Sequence, residues 1–417
     1  MPGDKSISHR SLILNAIAQG KAQVTGLSGG DDVMSTMHCL QAMGVPIEPG
    51  DRPGSVTVTG LGPILEEPND ILDAGNSGTS MRLLSGILAA QPFLSVLTGD
   101  GSLRSRPMGR VVQPLKQMGA QILGRNEDTL APLTFRGGVL KGIEYTLPVA
   151  SAQVKSCIML AGISADRETV LHQPALSRDH TERMLAAMGA TIEADGLDLV
   201  VHPALLHTVD MAVPGDISSA AFWLVAGLCH PNARILIQGI GLNPSRTGIL
   251  EVLKEMGAGS SLTLVDERIE GGEPVADLLV TTGELSGVEV GGDIIPSILD
   301  ELPVLALAAC FANGTTVIRD AAELRVKESD RIETTVTELT RLGADIEARE
   351  DGMVIHGTGR LTGAPCQSHG DHRLAMSLGV AGLLAHGETV IQDAGAATVS
   401  YPEFWRDLSL LSGGEGA

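Results

Sequence analysis

The sequence predicts a two-domain α/β protein in which one short pattern (helix, strand, helix, strand, strand) is repeated six times. Three observations carry this expectation. The chain has 417 residues, more than one hydrophobic core organises, so two domains are expected. A phrase made of an apolar helix tail, a turn and a β-rich run recurs six times. A second phrase, a helix closing on glycine, lies between five of the copies.

The first phrase begins as LNAIAQGKAQVTG (14–26) and returns as SGILAAQPFLSVLTG (85–99) and LAGISADRETVLHQ (160–173). It continues as VAGLCHPNARILIQG (225–239), AACFANGTTVIRD (308–320) and VAGLLAHGETVIQD (380–393). The copies align on Asn15, Gly86, Gly162, Gly227, Cys310 and Gly382. The second phrase reads LQAMGV (40–45), LKQMGA (115–120), LAAMGA (185–190), LKEMGA (253–258) and LTRLGA (339–344). Each predicts a helix with a glycine C-cap, then a strand. IEADGLDLVVH and IEAREDGMVIH read as strand–turn–strand, with Asp-Gly in the turn.

Hydrophobic residues make up 43% and charged residues 19%, which fits a folded globular chain. Aromatics are only 2%, so the core is expected to be aliphatic. No apolar run reaches the ~18 residues of a membrane span, and no charged-then-apolar leader precedes Pro2. The five cysteines are scattered and never form C-x-x-C, which suits reduced thiols in the cytoplasm. A net charge of −21 argues against nucleic acid or anionic membrane as partner. It leaves room for a small anion in a local basic pocket.

Just before the first-phrase helices stand PGDKS, DAGNSGTS, VASAQVK, VPGDISS, LDELP and SHGDHR. Most are rich in the residues that cap helix N-termini. Equivalent helices in two facing bundles are expected to aim free N–H groups and partial positive charge into one cleft, a site for anions. Basic side chains sit in or near the same segments: Lys5, Arg10, Arg82, Arg106, Arg110, Lys155, Arg178, Lys327, Arg331 and Arg373. Among them stand Asp300-Glu301 and Glu328. Asp300 reads either as an N-cap or as a proton acceptor. Glu328 reads either as an i,i+3 partner of Arg331 or as a proton donor. No G-x-x-x-x-G-K-[ST] accompanies GDKS, and no H-E-x-x-H is present. SHGDH has the residue types for metal ligation at His369, Asp371 and His372, but no third site lies near in sequence.

Together PGDKSISHR, GNSGTSMR, RPMGR, SAQVK, SRDHTE, NPSR, DELP, RVKESDR and GDHR resemble the enolpyruvyl transferases, specifically the 5-enolpyruvylshikimate-3-phosphate synthase family. The likeness runs the length of the chain, and GDK, SAQVK, RDHTE and NPSR resemble the class II branch. Ser245 stands in NPSR where that branch usually has Thr. The resemblance implies an inverse α/β barrel of two domains, each of three βαβαββ units. Residues 5–214 form one domain and 215–417, with 1–4, the other. The chain crosses near Gly3-Asp4 and near Pro214-Gly215-Asp216, and the active-site cleft lies between the domains. Relatives usually carry about a strand's length before PGDK, so either the start is truncated or the second domain forms its sheet without that strand.

The implied reaction moves the enolpyruvyl group of phosphoenolpyruvate onto the 5-hydroxyl of shikimate 3-phosphate, with no metal or organic cofactor. The implied partners are these two anions, not nucleic acid or membrane, and the implied state is a cytoplasmic monomer. Asp300 matches the base, Glu328 the acid, and Lys5 the alternative donor. Lys5, Asn76, Gly78, Arg106, Gln153, Arg331 and Arg373 match the phosphoenolpyruvate positions. Lys5, Ser6, Arg10, Ser151, Ala152, Gln153, Arg178, Asp300 and Lys327 match the shikimate-phosphate positions. Val399 stands where some members have a C-terminal Lys. For the family's inhibitor glyphosate, Gly78 and Leu83 point in opposite directions, and partial tolerance is expected. The sister enzyme acting on UDP-N-acetylglucosamine uses a Cys before an R-P. The corresponding TGDGSLRSRP (98–107) has none. A non-catalytic anion-binding protein of the same fold is the other alternative.

Overall fold

In the computed structural model, which describes residues 1–413, the chain divides into two compact units. One is Lys5–Val213; the other joins Met1–Asp4 to the chain from Pro214 onward. Each has its own aliphatic core, running from Ile7 to Val213 in the first and from Ile217 to Phe404 in the second.

The unit Lys5–Val213 contains three four-stranded sheets of one design. In the second sheet Leu72–Asp73 pairs parallel with Leu94–Thr98, which pairs antiparallel with Leu130–Arg136, and Gln121–Gly124 forms the far edge. The third sheet orders Glu144–Thr146, Thr169–His172, Asp198–Val201 and Ile192–Asp195 in the same way. The first sheet departs in connectivity alone. Its leading strand, Met211–Ala212, comes from the far end of the unit and pairs parallel with Val24 and Thr25 of Gln19–Thr25. The unit is thus closed by its own last residues.

In the other unit, Arg234–Gly241, Glu273–Thr281 and Leu262–Glu270 form an antiparallel sheet. Beside it Gly215 bridges Ile240 in parallel, and Gly3 pairs antiparallel with Gly215. The amide of Asp4 donates to the Pro214 carbonyl at 2.7 Å, and that of Asp216 to the Pro2 carbonyl at 3.0 Å. A second sheet orders Glu289–Val290, Thr315–Ile318, Gly352–His356 and Asp345–Arg349. A third pairs Pro365–Gln367 with Val390–Gln392.

The second-phrase helices end as the glycines predict. Gly44, Gly119, Gly189, Gly257 and Gly343 all hold φ between 81° and 104°, where a side chain would be strained. In four of the five the next amide closes back on the helix: Val45 to Leu40, Ala120 to Leu115, Ala190 to Leu185 and Ala344 to Leu339, at 2.9–3.1 Å. First-phrase helices are buried on nearly every side. Leu302–Cys310 is buried at each residue, and Lys5–Ala16 from Ile7 onward. Gly86 permits close packing of Gly78–Leu88 on Ala152–Gly162, because a Cβ there would lie 2.3 Å from the Cys157 carbonyl. Among the described residues no helix is long and apolar enough to cross a membrane.

The scarce aromatics are concentrated rather than spread. Phe222, Trp223, Tyr401, Phe404 and Trp405 form one cluster, with Trp223 stacked on Phe404 at 5.2 Å. Trp223 Nε1 donates to the Tyr401 hydroxyl at 3.2 Å, which donates to Asp407 at 2.7 Å. Both tryptophans of the chain lie here, so their emission reports on the Pro214-onward unit. Phe404 is fully buried at the centre of the cluster. Phe404→Ala should therefore lower that unit's stability by about 3–5 kcal/mol. Urea unfolding followed by tryptophan emission measures this, and a loss under ~1 kcal/mol would contradict the packing described.

Candidate active site: two constellations of charge

In the Lys5–Val213 unit the predicted residues gather at helix starts. Lys5 opens its helix and pairs with Asp32 at 3.0 Å. Ser77 and Ser151 cap their helices, accepting from the amides of Ser80 and Val154. Asn76 fixes Arg106: its Oδ1 accepts from Nη2 at 2.7 Å and its carbonyl accepts from Nη1 at 3.2 Å. The Asn76 amide in turn donates to Asp100 at 2.7 Å. Gln153 is oriented from both ends, accepting from Arg82 at 2.6 Å and donating to Thr79 at 2.9 Å. Gly78 lies against this group, since a Cβ would stand 2.7 Å from an Arg82 nitrogen and 3.5 Å from one of Arg106.

Arg10 and Lys155 of this unit also face inward. Arg10 is 3% exposed. It donates to Thr181 and Ser156 at 2.7 Å each and to the Ser6 carbonyl at 2.9 Å. It therefore pins Ser6 and the start of the helix His180–Ala187. Arg178 reaches the Ser6 hydroxyl at 3.4 Å. Lys155, 1% exposed, pairs with Glu182 and donates to the Ser177 carbonyl at 3.1 Å. It holds the loop that presents Arg178.

The other unit carries the carboxylates. Arg331 opens the helix Arg331–Arg341 with its guanidinium 1% exposed. Asp371 grips it at 2.7 and 3.2 Å, Glu328 at 2.6 Å and Asp300 at 3.2 Å. Lys327 stands 3.9 Å from Asp300. Arg373 lies 3.8 Å from Asp300 and 4.0 Å from Glu301, beyond hydrogen-bonding range of either. Glu328 is thus the i,i+3 partner of Arg331 and shares that guanidinium with Asp300. Burial opposes charge on Arg331, but Asp371, Glu328 and Asp300 outweigh it and raise its pKa. For Asp371 burial pulls the other way too, and Arg331 prevails, holding its carboxyl below the usual range.

Asp371 is a residue that the sequence reading left without a role. SHGDH has the residue types of metal ligands, but His369 and Asp371 have separate duties. His369 meets the buried Glu338 at 2.8 Å, and Asp371 caps the helix His372–Leu384 while gripping Arg331. The signal was the recurrence of Gly-Asp in PGDK, VPGDI and SHGDH, with Asp4, Asp216 and Asp371 each just before a helix. Arg246 of NPSR was also missed as a charged centre. It contacts Asp4 at 3.4 Å and Asp216 at 3.1 Å, and all three are buried. The acidic excess does not lie on the surface alone, since Asp4, Asp32, Asp216, Glu301, Asp371 and Glu338 are buried partners of cations or helix ends. The five thiols are free, and burial, with Asp73 nearby, pushes Cys39 up to about 12, far from nucleophilic.

The lowered pKa of Asp371 has a direct consequence for stability. Its carboxylate stabilises the fold above the unfolded value of 3.8, and this is lost as pH falls through the lower folded value. Acid titration of the urea midpoint, read by tryptophan emission, should show a destabilisation below about pH 4 that Asp371→Asn flattens. An unchanged slope in that variant would refute the linkage.

The family model described as EPSP synthase (3-phosphoshikimate 1-carboxyvinyltransferase) matches residues 1–408. A 3-phosphoshikimate 1-carboxyvinyltransferase of Herpetosiphon aurantiacus is 55% identical over 415 residues, covering 99% of this chain and 96% of that protein. One from Bacillus cereus is 53% identical with the same coverage. The solved structure of EPSP synthase from Acinetobacter baumannii superposes with a TM-score of 0.86 at 45% identity, covering 99% of this chain and 94% of that one. With the model spanning nearly the whole sequence, the chain belongs to the EPSP synthase family.

Proposed function

We infer that the protein transfers the enolpyruvyl group of phosphoenolpyruvate to the 5-hydroxyl of shikimate 3-phosphate and releases inorganic phosphate. Family membership supports this. The single observation that carries the chemistry is the arrangement around Arg331, where Asp300 and Glu328 are held on one guanidinium, with Lys327 and Arg373 within 4 Å of Asp300. Two carboxyl groups held this close to one guanidinium can serve as proton acceptor and proton donor.

In this reading Asp300 takes the proton of the 5-hydroxyl as that oxygen attacks C2 of phosphoenolpyruvate. Glu328, or Lys5 in its place, delivers a proton to the methylene carbon. The product of addition is a tetrahedral carbon bearing carboxylate, phosphate, methyl and the new ether. In the elimination a methyl proton is removed, the double bond re-forms, and phosphate leaves. Arg106, fixed by Asn76, and Lys5 bind the phosphate of phosphoenolpyruvate, with Gly78 leaving room beside them. Arg373 and Arg331 bind its carboxylate. Arg373 is the more available, because Arg331 is already shared among three carboxylates. Ser6, Ser151, Ala152, Gln153, Arg178 and Lys327 hold the second substrate, and Arg10 acts by fixing Ser6.

The finer architecture belongs to the same proposal: the sheets are copies of one βαβαββ unit, three per domain, in an inverse α/β barrel. A monomeric cytoplasmic enzyme with small anions as partners fits this reading, as does partial glyphosate tolerance. The sister activity on UDP-N-acetylglucosamine is not favoured, since the 98–107 loop lacks cysteine.

Phosphate release from a mixture of both substrates is the direct test, and a folded sample that releases none would overturn the assignment. Arg106→Ala should weaken phosphoenolpyruvate capture by roughly 2–5 kcal/mol, seen as a raised KM. Asp300→Asn should lower kcat by about 10²–10⁴ with little change in either KM. Parental kinetics in either variant would remove that residue from its role.

A further inference from the structure

Arg373 has two carboxylates close by, and each is already engaged, directly or through a hydroxyl, by a different arginine. Asp300, 3.8 Å away, accepts directly from Arg331 at 3.2 Å. Glu301, 4.0 Å away, is engaged less directly. Its Oε1 accepts a short hydrogen bond from the Ser218 hydroxyl, and the oxygen of that hydroxyl accepts from Arg246 Nη2 at 2.5 Å. Arg246 is itself fixed by Asp4 at 3.4 Å and Asp216 at 3.1 Å, and Asp216 caps the helix that carries Ser218 through the Ser218 amide at 2.9 Å. Glu301 is 1% exposed, and its Oε2 has no hydrogen-bond partner. A carboxylate so placed needs positive charge nearby. Arg246 supplies it through the serine. Without it, Arg373 is the adjacent cation that remains.

We propose that Arg246 is a positioning residue for phosphoenolpyruvate capture: by engaging Glu301 through the Ser218 hydroxyl, it keeps Arg373 from closing an ion pair with Glu301. This rests on the reading that Arg373 binds the substrate carboxylate. Closing the gap from 4.0 Å to hydrogen-bonding distance needs only a small side-chain movement. The ion pair so formed competes with the substrate for the same guanidinium face. The cost falls on phosphoenolpyruvate binding rather than on proton transfer, and shikimate 3-phosphate is spared.

The test is a pair of double-mutant cycles on the full chain. Arg246→Met and Ser218→Ala are each made alone and with Glu301→Gln, which removes the competing charge. The KM for phosphoenolpyruvate should rise roughly tenfold in Arg246→Met and by a smaller factor in Ser218→Ala. The KM for shikimate 3-phosphate should stay within about twofold. Adding Glu301→Gln should restore the first KM in both backgrounds, which a merely structural role for Arg246 does not predict. Tryptophan emission verifies folding. If Arg246→Met does not fold, the Ser218→Ala cycle decides alone. A folded single variant with parental KM, or a failure of Glu301→Gln to restore it, overturns the proposal. Arg373→Lys is the control: an unchanged KM for phosphoenolpyruvate there defeats the underlying reading of Arg373, whereas a raised KM with silent cycles defeats the Arg246 proposal alone.

Discussion

A cation taken out of water must bring its counter-charge with it, and much of this protein is arranged around that requirement. Arg331, Arg246 and Lys155 have side chains only 1–3% exposed, and each meets carboxylates at close range. Such pairs add little net stability, because desolvation offsets most of the Coulombic gain. Breaking one is costly, and that asymmetry fixes geometry. Arg331 cannot move without releasing Asp371, and Asp371 cannot move without uncapping the helix that starts at His372. Orientation at Asp300 and Glu328 therefore descends from a buried guanidinium and a helix cap.

The same economy recurs at the points where the chain passes between units. Asp4 and Asp216 stand at the two crossings, and both are held by Arg246. Their amides exchange hydrogen bonds with Pro214 and Pro2. One residue beyond Asp4 the chain reaches Lys5, and two beyond Asp216 it reaches Ser218. Lys5 and Ser218 are thus one and two residues from positions held by Arg246 and by backbone hydrogen bonds, which restricts where their helix starts can sit.

Much of this was legible in the sequence for a physical reason. Glycine at a helix end, as at Gly119 or Gly343, is demanded by a backbone angle, so the requirement shows in the residue itself. The strand pairing of Ile192–Asp195 with Asp198–Val201 was legible in its Asp-Gly turn. Arginine and carboxylate chemistry in RVKESDR and DELP was likewise visible. What the letters do not encode is direction. Arg10 and Arg178 are equally basic, yet Arg10 is spent on Thr181 and Ser156. Asp371 beside two histidines shows no role until its partner, forty positions back in sequence at Arg331, is known. Nor does a local pattern reveal that Met211–Ala212 completes the sheet begun by Gln19–Thr25, because that pairing spans the whole unit.

The limit of local reading explains why charge composition alone misleads here. A net −21 suggests an acidic exterior around a basic site. Several of the acids are instead interior, and their number is tied to the number of buried bases. Each arginine brought inward for structure consumes carboxylates, and each carboxylate left under-engaged becomes a competitor for the arginines meant for substrate. A site that must receive anions therefore needs more internal acid–base pairing than its substrate contacts alone require. Arg331 engages Asp300 directly and Arg246 engages Glu301 through Ser218, and Arg373 stands 3.8 Å from the first carboxylate and 4.0 Å from the second.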